Sequence, residues 1–336
     1  MLEIGYKLCS EEQSPEDLIH CAHLAEEAGF DFAMISDHYH PWVDKQGQSS
    51  FVWAVLGGIA QVTERLKVGT AVTCPTVRIH PAIIAQAAAT VAAMMPGRFM
   101  LGVGSGENLN EHILGNHWPE ADVRLEMLEE AVAVIRLLWQ GEQQSYRGKH
   151  YTVENARIYT LPDELPPIIV AGSGPKAAQL AGRIGDGFCA TSPDKELKQQ
   201  FDKAGGKGKP AYAEMTVCWA EDEAEARRTA FECWPNAAIT GELSQILPVP
   251  AHFEQAAKML KEEDVAEDIV CGADAEQHLK KLDEYVKAGY THVWVHQVGQ
   301  DQDGFFDFYQ QEVLPKLAQR TASSKKSSAK AARSSS

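Results

Sequence analysis

Short apolar runs alternate with amphipathic stretches along nearly the whole chain. Each run is followed by residues whose apolar positions recur at helical spacing, which predicts repeated strand–helix units. The runs occupy residues 4–9, 31–36, 66–73, 99–104, 166–172, 187–192, 212–220 and 291–298. Strands that are apolar throughout are typical of a parallel sheet covered by helices. Roughly eight units in about 320 residues predict an α/β fold, a closed (β/α)8 TIM barrel with insertions; an open doubly wound sheet is the alternative.

Local signals place the ends of several elements. Ser14 before Pro15 is typical of a helix start, and Gly29 is typical of a helix end. Helices are also predicted over residues 51–62, 81–95 and 124–139, and a β-excursion over residues 146–160. Because the pattern continues without a linker, we expect a single barrel domain over residues 1–318.

The last segment, residues 319–336, has a different composition. It contains no acidic residue and no large apolar side chain, which predicts a disordered tail. Its bases are Arg320, Lys325, Lys326, Lys330 and Arg333. We expect a solvated terminus, and contact with nucleic acid or an anionic surface is the alternative.

Composition narrows the class of protein. The chain is 44% hydrophobic and 23% charged, as in an ordinary globular protein with a sizeable core. The N-terminus carries acids where a secretory signal carries bases, and no apolar run approaches the roughly 20 residues of a membrane helix. We therefore expect a cytoplasmic protein without a membrane span. The formal charge of −16 argues against nucleic acid as the main partner.

The seven cysteines are scattered singly, and no CxxC pair occurs. This spacing favours reduced core cysteines over a disulfide framework or a zinc site. No metal site is predicted from it.

Polar and glycine-rich segments follow the predicted strands at several places. The first, residues 35–42, contains Asp37, His38 and Trp42, and similar segments occupy residues 70–78, 102–112, 171–175, 190–194 and 296–300. Active sites of a (β/α)8 barrel lie at the carboxyl ends of the strands, so these segments are expected to converge. A histidine there can accept a proton near neutral pH. The glycine-rich residues 171–175, directly before a predicted helix, suit an anion.

Five of these motifs together resemble one known family. SDHYHPW, TAVTCPTVRIHPAIIAQAAAT, PGRFMLGVGSGENLNEH, AGSGPKAAQLAGRIGDGF and HVWVHQVG are similar to segments of the coenzyme F420-dependent glucose-6-phosphate dehydrogenases, within the bacterial-luciferase-like superfamily. The resemblance covers roughly residues 3–318. It implies an oxidoreductase that transfers a hydride between a substrate carbinol carbon and a deazaflavin cofactor.

The resemblance also implies roles for individual residues. His38 matches the family's base, Glu107 the acid near the deazaflavin N1, and Trp42 the tryptophan beside the reacting centre. Cofactor contacts are expected at Asp37, Cys74, Ser105, Gly106, Asn110, Gly172, Ser173 and Gly174. The family further implies a cis peptide bond between Ala71 and Val72.

The expected substrate pocket departs from the family. Asp194, Ser244 and Glu267 stand where the relatives have two lysines and an arginine for the sugar phosphate, and Thr191 lies beside them. Each reversed charge opposes a dianion by roughly 4 kcal/mol at close range and an effective dielectric of about 20. We therefore expect an unphosphorylated alcohol, sugar, or hydroxylated lipid or metabolite.

Several alternatives remain open at this point. The substrate is a sugar phosphate if the loops differ in position, and Lys195 is then a substitute base. A luciferase-like monooxygenase with FMN as its cofactor is a second alternative, and a barrel that only binds is a third. The apolar surfaces of the helices at 51–62 and 81–95 favour a homodimer, although burial within one chain explains them equally well.

Overall fold

A closed barrel of parallel strands forms the centre of the molecule. The computed structural model describes residues 2–239 and 241–320. Its strands are β1 (Glu3–Leu8), β2 (Phe32–Ile35), β3 (Lys67–Thr70), β4 (Phe99–Val103), β5 (Gln144–Arg147), β6 (Thr152–Ala156), β7 (Ile168–Ala171), β8 (Gly187–Ala190), β9 (Ala211–Cys218), β10 (Val270–Cys271) and β11 (His292–Gln297). The barrel runs in the order β1-β2-β3-β4-β7-β8-β9-β11 and closes where β11 pairs with β1. The predicted TIM barrel is confirmed.

Helices connect successive strands and cover the outside. They are α1 (Pro15–Ala28), α2 (Val52–Val62), α3 (Pro81–Met94), α4 (Asn108–Glu111), α5 (Ala121–Leu138), α6 (Pro175–Ile184), α7 (Lys195–Phe201), α8 (Glu223–Cys233), α9 (Leu243–Ile246), α10 (Pro250–Ala257), α11 (Glu262–Ala266), α12 (Ala275–Ala288) and α13 (Gln302–Phe308). β5 and β6 form the predicted excursion, an antiparallel pair outside the barrel. β10 adds to the edge of β9.

The core has two layers because barrel side chains point alternately inward and outward. The larger layer packs between the strands and the helices, and contains Leu8, Ile35 and Leu101. The smaller layer fills the barrel interior with Phe32, Met34, Met100, Ile169, Cys189, Tyr212 and Trp294. This interior cluster is mainly apolar and supports the strands, and its Trp294 donates to the Glu214 carboxylate at 2.8 Å.

Helix α1 begins and ends as its sequence predicts. The Ser14 hydroxyl accepts a hydrogen bond from the Asp17 amide, Pro15 occupies the first turn, and Gly29 has φ of 89° at the C-cap. A left-handed residue at this position favours glycine. The cap fixes the point at which the turn after β1, residues 9–13, ends and α1 begins.

The described chain ends in a helical segment. α13 continues through a π-helical turn and residues 314–320 are helical, so residues 319 and 320 lie beyond the predicted domain boundary but within this helix. Arg320 pairs with Glu276 and Asp283 of α12. The remaining predicted tail, 321–336, lies outside the described residues. Across the described ranges, no helix has the length and apolar character needed to cross a bilayer.

Candidate active site

His38 lies three residues after β2, at the carboxyl end of the barrel. Its Nδ1 lies 3.2 Å from the carbonyl oxygen of His40, and its Nε2 lies 3.5 Å from a carboxylate oxygen of Glu11. The ring packs against Trp42 with centroids 5.0 Å apart. A carbonyl only accepts, so Nδ1 donates this hydrogen bond and Nε2 is left as the basic nitrogen. The predicted roles of His38 as the base and of Trp42 beside the reacting centre stay predictions.

Glu11 is the site residue that the sequence analysis missed. It follows β1, is 1% exposed, and accepts a short hydrogen bond from the Ser36 hydroxyl. Burial by itself opposes ionisation, but His38, Lys7 and the Ser36 hydroxyl together lower the pKa of the Glu11 carboxyl to about 2. Glu11 is therefore a fixed negative charge beside the His38 ring. Its signal was the run of polar residues directly behind the first apolar strand, SEEQ.

Asp37, the residue before His38, is held by a buried group of ion pairs that Arg78 forms with Asp37 and Glu111. Arg78 donates to one Asp37 carboxylate oxygen at 2.8 Å, and the Thr73 hydroxyl donates to the other at 2.7 Å. Arg78 also contacts Glu111 through its backbone amide, at 2.7 Å, and through its guanidinium. Burial raises the pKa of the Glu111 carboxyl. Both oxygens of Asp37 thus have protein partners, and its predicted cofactor contact stays a prediction.

Residues 105–111 follow β4 and bring an amide and a carboxylate to the mouth. The Asn110 side-chain oxygen accepts from the amides of Tyr39 and His40, at 2.9 and 3.2 Å, which ties this segment to the His38 loop. Its Nδ2 is buried and has no hydrogen-bond partner. Glu107 is half-buried at the N-terminus of α4, and among the described residues its carboxylate makes no hydrogen bond or ion pair.

Gly106 permits close contact between two strand exits. Its φ is 80°, and a Cβ at this position would lie 2.5 Å from the Cys74 sulfur, so a side chain is excluded on both grounds. Cys74 is buried, with its Sγ 2.8 Å from the Thr76 hydroxyl. Ser105 is half-buried beside them. The Ala71–Val72 peptide bond just before this contact is cis, as predicted.

The glycine-rich turn after β7 leads directly into α6. Gly172 lies tightly against α6, because a Cβ there would lie 2.9 Å from the Ala178 amide nitrogen, whereas a Cβ on Gly174 would meet no atom within 4 Å. The Ser173 hydroxyl accepts from Gln245 at 3.2 Å, and Gln245 in turn accepts from Arg124 at 2.8 Å. The open space at Gly174, the first amides of α6 and the Arg124 guanidinium are therefore grouped at this edge of the barrel.

The insertion between α8 and β10 packs on the His38 loop. Phe253 is fully buried and meets the Trp42 ring edge-on, with centroids 5.2 Å apart. Asn108 donates to the carbonyl oxygen of Ile246 at 2.9 Å, which joins the insertion to the segment carrying Glu107. The insertion therefore holds Trp42 between Phe253 and His38.

The four predicted substrate-pocket residues lie on separate elements. Asp194 caps α7 by accepting from the amides of Glu196 and Leu197. Ser244 lies in α9, and its hydroxyl donates to the carbonyl oxygen of Gly241. Glu267 is exposed at the end of α11, and Thr191 is exposed after β8. In the described chain, no ion pair neutralises Asp194 or Glu267. Their gathering around one substrate stays a prediction.

Comparison with known proteins covers most or all of the barrel. The luciferase-like monooxygenase family model matches residues 3–292. An F420-dependent glucose-6-phosphate dehydrogenase of Microbacterium testaceum is 38% identical over 334 residues, covering 96% of this chain and 99% of the relative. One from Nocardia farcinica is 37% identical and covers 94% and 98%.

Solved structures share the architecture. An F420-dependent secondary alcohol dehydrogenase, in complex with an F420–acetone adduct, superposes with a TM-score of 0.87 at 29% identity, over 93% of this chain and 98% of that one. The coenzyme F420-dependent tetrahydromethanopterin reductase of Methanopyrus kandleri has a TM-score of 0.76 at 21% identity, over 94% and 99%. The second likeness is one of fold alone.

Proposed function

The chain belongs to the luciferase-like family, among the relatives of the F420-dependent glucose-6-phosphate dehydrogenases, and we propose that it transfers a hydride between a substrate carbinol carbon and coenzyme F420. The observation that carries this proposal is the His38 ring held between the Glu11 carboxylate and Trp42 at the barrel mouth. A proton acceptor with a fixed anion beside it is the group that alcohol oxidation requires.

The residues at the mouth fit a deazaflavin with an anionic tail. The buried, unpartnered Nδ2 of Asn110 and the unpaired carboxylate of Glu107 are available to polar atoms of the ring system. The open space at Gly174, with the amides of the ten-residue α6 behind it, suits a phosphate. When bound, the deazaflavin supplies a two-electron hydride acceptor. The predicted contacts of Cys74, Ser105, Gly106, Gly172 and Ser173 belong to the same proposal.

The protein's own task is to move the hydroxyl proton. Nε2 of His38 takes this proton as the C–H hydride leaves the carbinol carbon. The Glu11 charge, 3.5 Å from Nε2, stabilises the imidazolium that forms. Trp42 packs against the imidazole with its ring tilted by 57° and restricts the orientation of the histidine. In the opposite direction, the same imidazolium returns the proton to a carbonyl oxygen.

We propose an unphosphorylated hydroxyl compound as the substrate. Asp194 and Glu267 have no cationic partner among the described residues, so both leave negative charge where the sugar-phosphate enzymes have bases. The secondary alcohol dehydrogenase that superposes over the whole barrel supports a neutral alcohol. The relatives that act on glucose 6-phosphate favour the second candidate, a sugar phosphate.

The visible absorbance of oxidised F420 tests both parts. We expect it to fall when purified protein receives a secondary alcohol such as 2-propanol, or a neutral sugar, and to stay constant with glucose 6-phosphate. A fall with glucose 6-phosphate alone contradicts the proposed substrate class. If no substrate bleaches F420, no ketone reoxidises reduced F420 and the protein turns over FMN instead, the hydride function itself is wrong.

We also propose that two copies associate through α2 and α3. A groove of about 310 Å³ separates these helices and is lined by Trp53, Ile79 and Met94. Phe51 and Ile83 at its rim are each 58% exposed. An exposed apolar surface of this kind is typical of an interface.

All seven cysteines are free thiols, which supports the predicted cytoplasmic compartment.

A further inference from the structure

Three potential metal ligands meet where β1 and β11 end, and the Cys9 thiol among them donates to a Glu11 carboxylate oxygen at 3.4 Å. Cys9 and Glu12 lie in the turn after β1, and His296 lies in β11. The cysteine sulfur, a Glu12 carboxylate oxygen and a His296 ring nitrogen all lie within 4.8 Å of one another. All three residues are buried. In the described part of the chain, no other three groups of these types are comparably close.

Two of these side chains have polar atoms without hydrogen bonds. Among the described residues, no hydrogen bond reaches the buried Oε2 atom of Glu12 or either buried ring nitrogen of His296. The Glu12 Oε2 and His296 Nε2 atoms face each other at 3.6 Å, longer than a hydrogen bond. Buried polar atoms in proteins nearly always have a partner. The cluster therefore lacks one group between the carboxylate and the imidazole.

The surroundings of His296 resemble those of a histidine ligand. Its other nitrogen, Nδ1, lies 3.5 Å from a Glu214 carboxylate oxygen. Glu214 is itself held by Lys7 at 2.9 Å. Although burial alone opposes ionisation, Lys7 and His296 lower the pKa of the Glu214 carboxyl well below its usual range. A carboxylate behind the ring leaves Nε2 directed at the cluster, which is the usual arrangement around zinc.

We propose that Cys9, Glu12 and His296 bind one zinc-like divalent ion through the Cys9 sulfur, Glu12 Oε2 and His296 Nε2, with water as the fourth ligand. Thiolate, imidazole and carboxylate are the donors that zinc takes in proteins. At usual zinc–ligand lengths the donor atoms lie about 3.6 Å apart, the separation that Glu12 Oε2 and His296 Nε2 already have. The proposal does not depend on the proposed hydride transfer.

Charge balance favours such an ion. One thiolate and one carboxylate neutralise a divalent cation at this buried position. Burial, with Glu11 and Glu12 adding to it, raises the pKa of the Cys9 thiol well above its usual value. Metal binding therefore releases the thiol proton to solvent.

One residue of the cluster, Glu12, borders a cavity. This cavity of about 170 Å³ lies between the turn after β1 and residues 299–303. Asp17, Asp301 and Asp303 line the same cavity, which attracts cations. The bound ion would join the first strand of the barrel to the last, and its ligand Glu12 directly follows Glu11.

Cobalt and zinc test the site in the full-length protein. After chelator treatment and dialysis, we expect one equivalent of Zn²⁺ to bind in equilibrium dialysis. With Co²⁺ as the probe, we expect a thiolate-to-cobalt charge-transfer band. Cys9→Ser should lose the band and weaken binding by at least roughly 100-fold. The matched control is Cys21→Ser, a buried cysteine that lines the same cavity and should keep both.

Diffraction from zinc-soaked crystals provides a second measurement if Cys9→Ser does not fold. An anomalous peak among Cys9, Glu12 and His296 supports the site. Absence of one-equivalent binding and of the charge-transfer band in the wild-type protein overturns it, as does loss of the band in Cys21→Ser but not Cys9→Ser. A protonated His296 between Glu12 and Glu214 then accounts for the cluster, because both carboxylates raise the pKa of its ring against the effect of burial.

Discussion

At the residue scale, the proposed proton transfer depends on Glu11 remaining ionised although it is 1% exposed. An isolated buried carboxylate becomes neutral. Here the Ser36 hydroxyl donates to Glu11, and the positive charge of Lys7 also favours the carboxylate. The negative charge therefore lies beside the His38 ring before a substrate arrives, and little reorganisation is needed during the reaction.

We predict that Glu11 and His38 act as a unit. His38→Ala should lower kcat by roughly 10² to 10⁴, and Glu11→Gln by roughly 10 to 10³, with F420 affinity little changed. The double variant should be no slower than His38→Ala, because the carboxylate acts through the ring. Steady-state kinetics and F420 titrations measure these values. Glu16→Gln, on the exposed first turn of α1, is the control, and additive effects in the double variant contradict the coupling.

At the element scale, a single carboxylate fixes the entry of β3. Glu26 at the end of α1 accepts from the backbone amides of Glu64, Arg65 and Leu66, the last two at 2.6 Å. Burial opposes ionisation, but these amides lower the pKa of the Glu26 carboxyl. A lowered folded-state pKa stabilises the protein above the unfolded-state pKa, and this stability is lost as pH falls through the folded-state value.

We expect Glu26→Gln to lower the free energy of unfolding by about 1–3 kcal/mol at pH 7. The loss should shrink at a second, acidic pH, because the wild-type carboxylate becomes protonated as pH falls through its lowered pKa. Urea denaturation at the two pH values measures this. Glu27→Gln is the matched control, because the neighbouring side chain is 61% exposed. An equal loss at both pH values would show that the charge of Glu26 has no part in it.

The two negative charges that we propose near the substrate lie at helix ends, since Asp194 caps α7 and Glu267 ends α11. Asp194→Lys with Glu267→Arg should raise kcat/KM for glucose 6-phosphate by roughly tenfold or more and leave neutral alcohols unaffected. Replacing the cap costs about 1 kcal/mol of stability, so Asp194→Asn with Glu267→Gln serves as a second variant that keeps a capping side chain. If neither pair gains activity on the sugar phosphate, charge does not determine the substrate class.

At the scale of the whole molecule, the outer helices leave one apolar groove open between α2 and α3. Ile83→Asp should convert a dimer into a monomer in sedimentation velocity, because the charge would be buried without a partner. Val286→Asp is the control, since Val286 is a similarly exposed apolar residue on α12. A wild-type protein that sediments as a monomer contradicts the proposed association.

The order and parallel direction of the barrel strands follow from the sequence alone. Each strand is short, apolar and succeeded by a helix, and such units pack stably in few ways. Ser14 and Gly29 likewise specify the ends of α1 through local backbone chemistry, which needs no distant partner. The cis bond at Ala71 was predictable because its motif is contiguous and resembles a known family. The roles of His38, Trp42 and Glu107 come from the same resemblance and stay predictions.

Contacts between segments that are distant in sequence were decided by the tertiary structure. Glu11 meets His38, and Arg78 meets Asp37, only because neighbouring strands end side by side at the barrel mouth. The pairing of β11 with β1 brings His296 to the turn of Cys9 and Glu12 from the other end of the chain. Hydrophobic periodicity determines which face of an element is buried, but polar side chains acquire their partners, charges and chemistry only when the barrel closes.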